Sequence, residues 1–176
     1  MSESTRGGAM PESAIQSVVY VSRETTPFDP LKLTGLQEQS SRKNARVGVT
    51  GYLCYDRKRF VQCIEGQPEV VEELFQTIHS DERHEVLAWD SAVSPEGRRF
   101  PDWGMKWVTT ADLLEISMEH LLTDHLLLLE RVRDSDQTWR RLIWQMVGRL
   151  AEQQGRLKAS ATQRDATAAA RSATRE

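Results

Sequence analysis

Two polar side chains that could act together lie in segments predicted to be buried β-strands. Tyr20 lies in the apolar segment 15–22, and Gln62 lies in the apolar segment 60–65. Because side chains alternate between the faces of a strand, Tyr20 and Gln62 can point to the same face of two neighbouring strands. A carboxamide has a donor end and an acceptor end, so Gln62 could bridge a phenol and a ligand carbonyl. The alternative is a Tyr–Gln hydrogen bond that only stabilises the core, since buried polar groups need partners.

Asn44 could complete a binding site with this pair. It ends the predicted first helix, where asparagine is common as a cap. Its amide could also clamp the donor and acceptor edge of a planar heterocycle. The residues alone leave both interpretations open.

The elements that must position these residues follow the order βαββαββ. A helix begins at Asp29-Pro30, where Asp caps and Pro takes the first turn, and continues to about Arg42. A second helix begins at Pro68 and has one apolar face. The predicted strands are 15–22, 47–55, 60–65, 85–93 and 105–108. Right-handed crossovers then give an α+β, ferredoxin-like sheet with both helices on one face and with the first and third strands as central neighbours.

The strands are apolar on both faces, so the second face of the sheet needs a cover. We expect a C-terminal pair of helices, at about 118–132 and 135–153, to supply it. The predicted organisation is a flexible leader (1–14), the domain proper (15–110), a helical extension (111–154) and a disordered tail (155–176). Trp144 lies off the apolar stripe of the last helix, and is either an exposed interface anchor or a half-buried side chain.

Composition excludes several classes of protein. The chain has 176 residues, 39% of them hydrophobic, and a net charge of −3, which suits a folded domain and gives no basic excess for nucleic acid. It has no apolar run long enough for a membrane span, and its N-terminus lacks a signal peptide. Cys54 and Cys63 have no metal-binding spacing, so we expect core thiols in a reducing cytoplasm.

Five segments are similar in order and spacing to the signature of the BLUF family, sensors of blue light using FAD. They are VVYVS (18–22), NARVGVTG (44–51), FVQCIEG (60–66), DERH (81–84) and FPDWGM (100–105). The resemblance covers about residues 15–110 and is closest to short, stand-alone members of the family. It implies a blue-light photoreceptor that binds FAD, with FMN and riboflavin as alternatives, and it implies no enzyme activity.

The resemblance also assigns roles to residues. Tyr20 would be the electron donor to the excited flavin, Gln62 the hydrogen-bond relay, and Asn44 the contact to the C4=O and N3 edge. The other implied positions are Leu36 and Ile78 on either side of the ring, Arg83 and His84 at its polar rim, and Trp103 and Met105 on the fifth strand as the route to the rest of the protein. Without the resemblance, Arg83 and His84 would be a surface pair, and Leu36, Ile78, Trp103 and Met105 would be core. Lys43 departs from the family pattern, in which asparagine or histidine is usual.

The chain ends soon after the helical pair, so we expect no fused effector domain. The signal would then pass to an unidentified downstream protein or through a homo-oligomer interface. One alternative is a light-insensitive interaction domain that has lost its flavin, and another is an acylphosphatase-like hydrolase. The hydrolase would need a phosphate-cradling loop, which the segment 22–25 does not provide.

Overall fold

The computed structural model describes residues 14–117 and 137–173 of the chain. Its elements are β1 (Ile15–Glu24), α1 (Pro30–Arg46), β2 (Thr50–Asp56), β3 (Arg59–Gly66), α2 (Pro68–His79), β4 (His84–Ser94), β5 (Gly104–Val108), α3 (Thr110–Glu115) and α4 (Gln137–Ala173). The five strands form one mixed sheet in the order β4-β1-β3-β2-β5. The predicted α+β, ferredoxin-like fold is confirmed, with β1 and β3 as central neighbours.

Backbone conformation fixes the register around β2. Arg57 and Lys58 both have positive φ angles (46° and 70°), as a tight turn between antiparallel strands requires, and they join β2 to β3. Gly51 has φ +143°, and an added Cβ would lie 1.9 Å from the carbonyl oxygen of Cys63. Only glycine therefore fits where β2 passes β3 at this point.

The first helix is longer than predicted, and the second strand begins later. Asp29 caps α1 by accepting a hydrogen bond from Lys32 N (2.8 Å), but the helix continues to Arg46 rather than Arg42. Val47 and Gly48 then bond back to carbonyl groups of the last turn, so β2 begins at Thr50 rather than 47. The extra turn places positions 43 and 44 on the helix, where both residues line the same cleft as Gln62 of the central strand β3.

The sheet separates two apolar clusters. On one face, α1 and α2 cover a cluster that includes Val18, Leu53 and Ile64. On the other face, side chains such as Val19 and Cys63 pack with residues of α3 and α4. This second cluster confirms the predicted helical cover, although the predicted helix at 118–132 lies outside the described residues.

The last helix differs from prediction at its C-terminal end. It continues to Ala173, so the predicted disordered tail is wrong over the described residues 155–173. The segment is rich in Ala and Arg, which favour a helix even where no apolar stripe indicates one. The predicted leader lies outside the described residues except for Ala14, which is buried.

Trp144 is not an exposed anchor. It packs against the cluster beneath α4, its indole Nε1 donates to Asp90 Oδ2 (3.0 Å), and the Arg99 guanidinium lies over its ring. The half-buried interpretation is therefore the correct one for this chain. Within the described residues, no helix combines the length and the apolar character that a bilayer crossing needs.

Candidate functional site

Tyr20 and Gln62 are direct partners across the β1–β3 ladder, and both are buried. The Tyr20 hydroxyl donates a hydrogen bond to Gln62 Oε1. The other end of the carboxamide, Gln62 Nε2, donates to the Met105 sulfur at 3.1 Å. Burial, and next the charge of Asp81, raise the pKa of Tyr20 far above its usual value, so the phenol is protonated at neutral pH. The result is a short hydrogen-bonded chain from β1 through β3 to β5.

A cleft opens beside this chain, between the sheet and the pair α1 and α2. Its empty space is about 800 Å³, a figure that includes open solvent at the mouth. Its walls contain every residue that the resemblance assigned to the flavin: Tyr20, Leu36, Asn44, Gln62, Ile78, Arg83 and His84. Their roles toward a flavin stay predictions, but the fold brings all seven together.

Asn44 contributes an unused carboxamide to the cleft. Its side chain is only 4% exposed, and it makes no hydrogen bond with any residue that the structure describes. The capping role belongs to its backbone, because the Asn44 carbonyl accepts from Val47 N and Val49 N at 3.2 and 2.8 Å. The amide atoms of Asn44 are not fully enclosed by protein, so they can bond a ligand in the cleft that has a donor and acceptor edge, such as a flavin ring.

The polar rim of the cleft contains an ion pair and a histidine. Arg83 Nε lies 2.9 Å from Asp81 Oδ1, and hydrogen bonds from Arg83 lower the Asp81 pKa to about 2. His84 stacks near the Tyr20 ring, with centroids 6.2 Å apart, and its buried Nδ1 has no partner among the described residues. Burial lowers the pKa of His84, which favours the neutral imidazole.

Sequence reasoning missed part of the lining. The additional residues are Phe28, Gln39, Ser40, Lys43, Leu53, Phe60, Leu74, Thr77 and Asp81. Helical spacing could have found several, since Ser40 and Lys43 follow Leu36 at i+4 and i+7. Leu53 lies opposite Gln62 in the β2–β3 register, which the sequence alone does not give.

Trp103 and Met105 face opposite sides of the sheet. Met105 is buried in the cluster beneath α1 and α2, and its φ angle is +81°. Trp103 precedes β5, which corrects the prediction that it lies on that strand. It is half-buried, stacks on Phe100 with centroids 5.0 Å apart, and packs against the cluster beneath α4.

A buried carboxylate fixes the loop that leads to Trp103, and sequence reasoning did not single it out. Glu65 is fully buried at the end of β3. Its oxygens accept from the backbone N–H groups of Arg99 (3.0 Å) and Phe100 (2.6 Å) and from the hydroxyls of Ser17 and Thr50. The strand that carries Gln62 is thereby tied to the segment before β5.

The family model for BLUF, "Sensors of blue-light using FAD", matches residues 15–106. The chain belongs to the BLUF family. Its curated relatives include the photoactivated adenylate cyclase subunit beta of Euglena longa, which is 32% identical over 105 residues, or 58% of this chain and 12% of that protein. The chain thus spans about an eighth of the length of this relative.

Solved structures agree with this BLUF assignment. The dark-state structure of BlrB, a BLUF protein, aligns with a TM-score of 0.61 and 27% identity, over 80% of this chain and 98% of BlrB. A bacterial light-regulated adenylyl cyclase aligns with a TM-score of 0.55 and 26% identity, over 66% of this chain and 36% of that chain. The BLUF domain is a flavin-binding sensor of blue light, and the cleft beside Tyr20 and Gln62 lies inside the matched residues.

Proposed function

We propose that this chain is a blue-light photoreceptor in which Tyr20 and Gln62 form the photoactive pair. The observation that carries the proposal is a hydrogen-bonded phenol and carboxamide in the wall of a cleft that also contains the unpartnered amide of Asn44. FAD is the proposed chromophore, as the family description indicates, and FMN and riboflavin are the alternatives.

A bound flavin that is excited by blue light would act as an electron acceptor. Tyr20 is the donor that we propose, and its protonated phenol becomes a strong acid once an electron has left it. Gln62 Oε1 already accepts the hydrogen bond from this phenol, so it can take the proton without a change of partner. The electron and the proton then both return to Tyr20, so that no net oxidation remains, and the Gln62 carboxamide is left in a different hydrogen-bond arrangement, which is the signal.

We propose that the signal leaves the cleft through Met105 and β5. A change at Gln62 alters its bond to the Met105 sulfur, and the segment just before β5 contacts α4. There, Lys158 Nζ lies 3.0 Å from Asp102, and the Gln154 carboxamide lies within hydrogen-bond reach of the Arg99 carbonyl oxygen and Asp102 N. The geometry supports a shift of α4 that a downstream protein or a second copy of the chain would detect.

We propose a sensory role without catalysis for this chain. The cyclase activities named for its relatives belong to those proteins. The free, buried thiols of Cys54 and Cys63 are consistent with the reducing cytoplasm expected from the sequence.

An absorption spectrum before and after blue illumination tests the proposal. We expect yellow protein whose flavin bands shift slightly to the red and return in the dark. Gln62→Leu should bind flavin and lose the light-induced shift, because leucine cannot accept the Tyr20 proton. Thr77→Val, at the rim of the same cleft, is the matched control and should keep the shift. Size-exclusion chromatography of dark and illuminated samples examines the output.

Two results would contradict this function. A normal photocycle in Gln62→Leu would remove the carboxamide from the mechanism. A chain that neither carries a flavin nor takes one up would favour the alternative, an interaction domain that has lost its chromophore.

A further inference from the structure

The mouth of the cleft contains a positive charge that nothing in the described structure balances. Lys43 and Arg83 are the cations of the lining, and Asp81 is its carboxylate. Arg83 and Asp81 neutralise each other through an ion pair, and His84 favours its neutral form. Lys43 makes no ion pair with the residues that the structure describes, whereas its neighbour Arg42 pairs with Glu38 at 3.8 Å.

The cleft lining has two chemically different parts, a buried polar inner wall and an exposed part that contains Lys43. Tyr20, Gln62 and Asn44 are buried and form the inner wall. Lys43 is exposed, lies on the last turn of α1 one residue before Asn44, and lines the same cleft. A ligand whose ring bonds the inner amides would leave its remaining atoms on the solvent-exposed side of the cleft lining, to which the exposed Lys43 belongs.

We propose that Lys43 binds the phosphate of a phosphorylated flavin, so that the chain prefers FMN and FAD to riboflavin. The inference rests on the flavin proposal above and adds a specificity determinant to it. An ammonium group with no ion pair among the described residues can bond a phosphate without breaking an ion pair seen in the structure. The long side chain and its exposure at the mouth allow it to follow a phosphate that lies outside the ring cavity.

Titrations of flavin-free full-length protein with riboflavin, FMN and FAD, followed by quenching of flavin fluorescence, test the inference. We expect wild-type protein to bind FMN about threefold to tenfold more tightly than riboflavin, the range of an exposed charge-assisted bond. In Lys43→Gln, most of the preference for FMN over riboflavin should disappear, while the affinity for riboflavin should stay unchanged. Lys43→Arg should retain the ratio, and added salt should reduce it in wild-type protein.

Arg42→Gln is the matched control, because Arg42 is the adjacent cation and does not line the cleft. It should leave the FMN-to-riboflavin ratio unchanged. An equal ratio in wild-type and Lys43→Gln protein would overturn the inference, and so would an equal loss of affinity for all three flavins, which would place Lys43 at the ring. Either result leaves flavin binding intact, whereas a chain that binds none of the three overturns the flavin proposal as well.

Discussion

Two polar groups that line the cleft have no hydrogen-bond partner among the described residues. The Asn44 amide and the His84 Nδ1 are buried or half-buried beside the satisfied Tyr20–Gln62 pair, and the described residues leave both unbonded. Leaving such groups without partners destabilises a fold, so a protein retains them where a ligand completes them. The site is therefore defined by the hydrogen-bonded Tyr20–Gln62 pair and equally by the Asn44 amide and the His84 Nδ1, which have no partner among the described residues.

His84 should make stability depend on pH near neutrality. Burial favours its neutral form and lowers its pKa in the folded state below the ordinary 6.5. The unfolded chain then takes up a proton first as the pH falls, so the His84 contribution is present above pH 6.5 and is lost as the pH falls through the folded-state pKa. We expect the unfolding free energy from urea titrations to decrease between about pH 7.5 and 5.5, and to decrease less in His84→Gln.

His79→Gln provides the comparison, because His79 is exposed on α2 and lies near His84. It should keep most of the wild-type pH dependence. Asp81 does not titrate between pH 7.5 and 5.5 and so does not contribute to this pH dependence, since its pKa is about 2. Equal pH slopes in wild-type and His84→Gln protein would contradict the assignment.

At the level of elements, β3 links the cleft to the loop before β5. Gln62 points from this strand into the cleft, and the Glu65 carboxylate fixes the loop before β5 from the other side of the sheet. Replacing Glu65 by glutamine would turn an amide N–H group toward backbone N–H donors inside the core. We expect Glu65→Gln to lower the unfolding free energy by about 2–4 kcal/mol, measured by urea denaturation.

Glu69→Gln, on the exposed first turn of α2, is the control for loss of a negative charge. It should change the unfolding free energy by less than about 0.5 kcal/mol. A Glu65→Gln variant as stable as this control would show that the buried network contributes little.

The shared face of Tyr20 and Gln62 could be predicted from the sequence, whereas the end of α1 and the Glu65 network could not. Alternation along β1 and β3 was sufficient to predict that Tyr20 and Gln62 share a face, and the register confirms it. The end of α1 was predicted too early because Lys43 to Arg46 carry no apolar stripe, yet hydrogen bonds from the following turn extend the helix. The Glu65 network was not predictable, since its donors come from a loop more than thirty residues away whose path the sequence does not reveal.

At the level of the whole molecule, the sheet separates the face that carries the cleft, under α1 and α2, from the face that α3 and α4 cover. Val19, Val21 and Cys63 of the central strands belong to the same apolar cluster as Ile143, Met146 and Leu150 of α4. This continuity means that α4 is part of the core of the domain. The displacement of α4 that we propose for signalling would therefore break contacts that also stabilise the fold.

Leu150→Ala tests whether α4 and the sheet are one cooperative unit. Leu150 is fully buried, so its truncation leaves a cavity, and we expect a loss of about 2–5 kcal/mol in the unfolding free energy. If the unit is cooperative, one transition should appear by both tryptophan fluorescence and far-UV circular dichroism, and both should shift together. Leu31→Ala, at a leucine that is 85% exposed, should leave the transition nearly in place. An unchanged main transition in Leu150→Ala, with a separate early loss of helix, would make α4 an independent appendage, and the signal could then leave the sheet without α4.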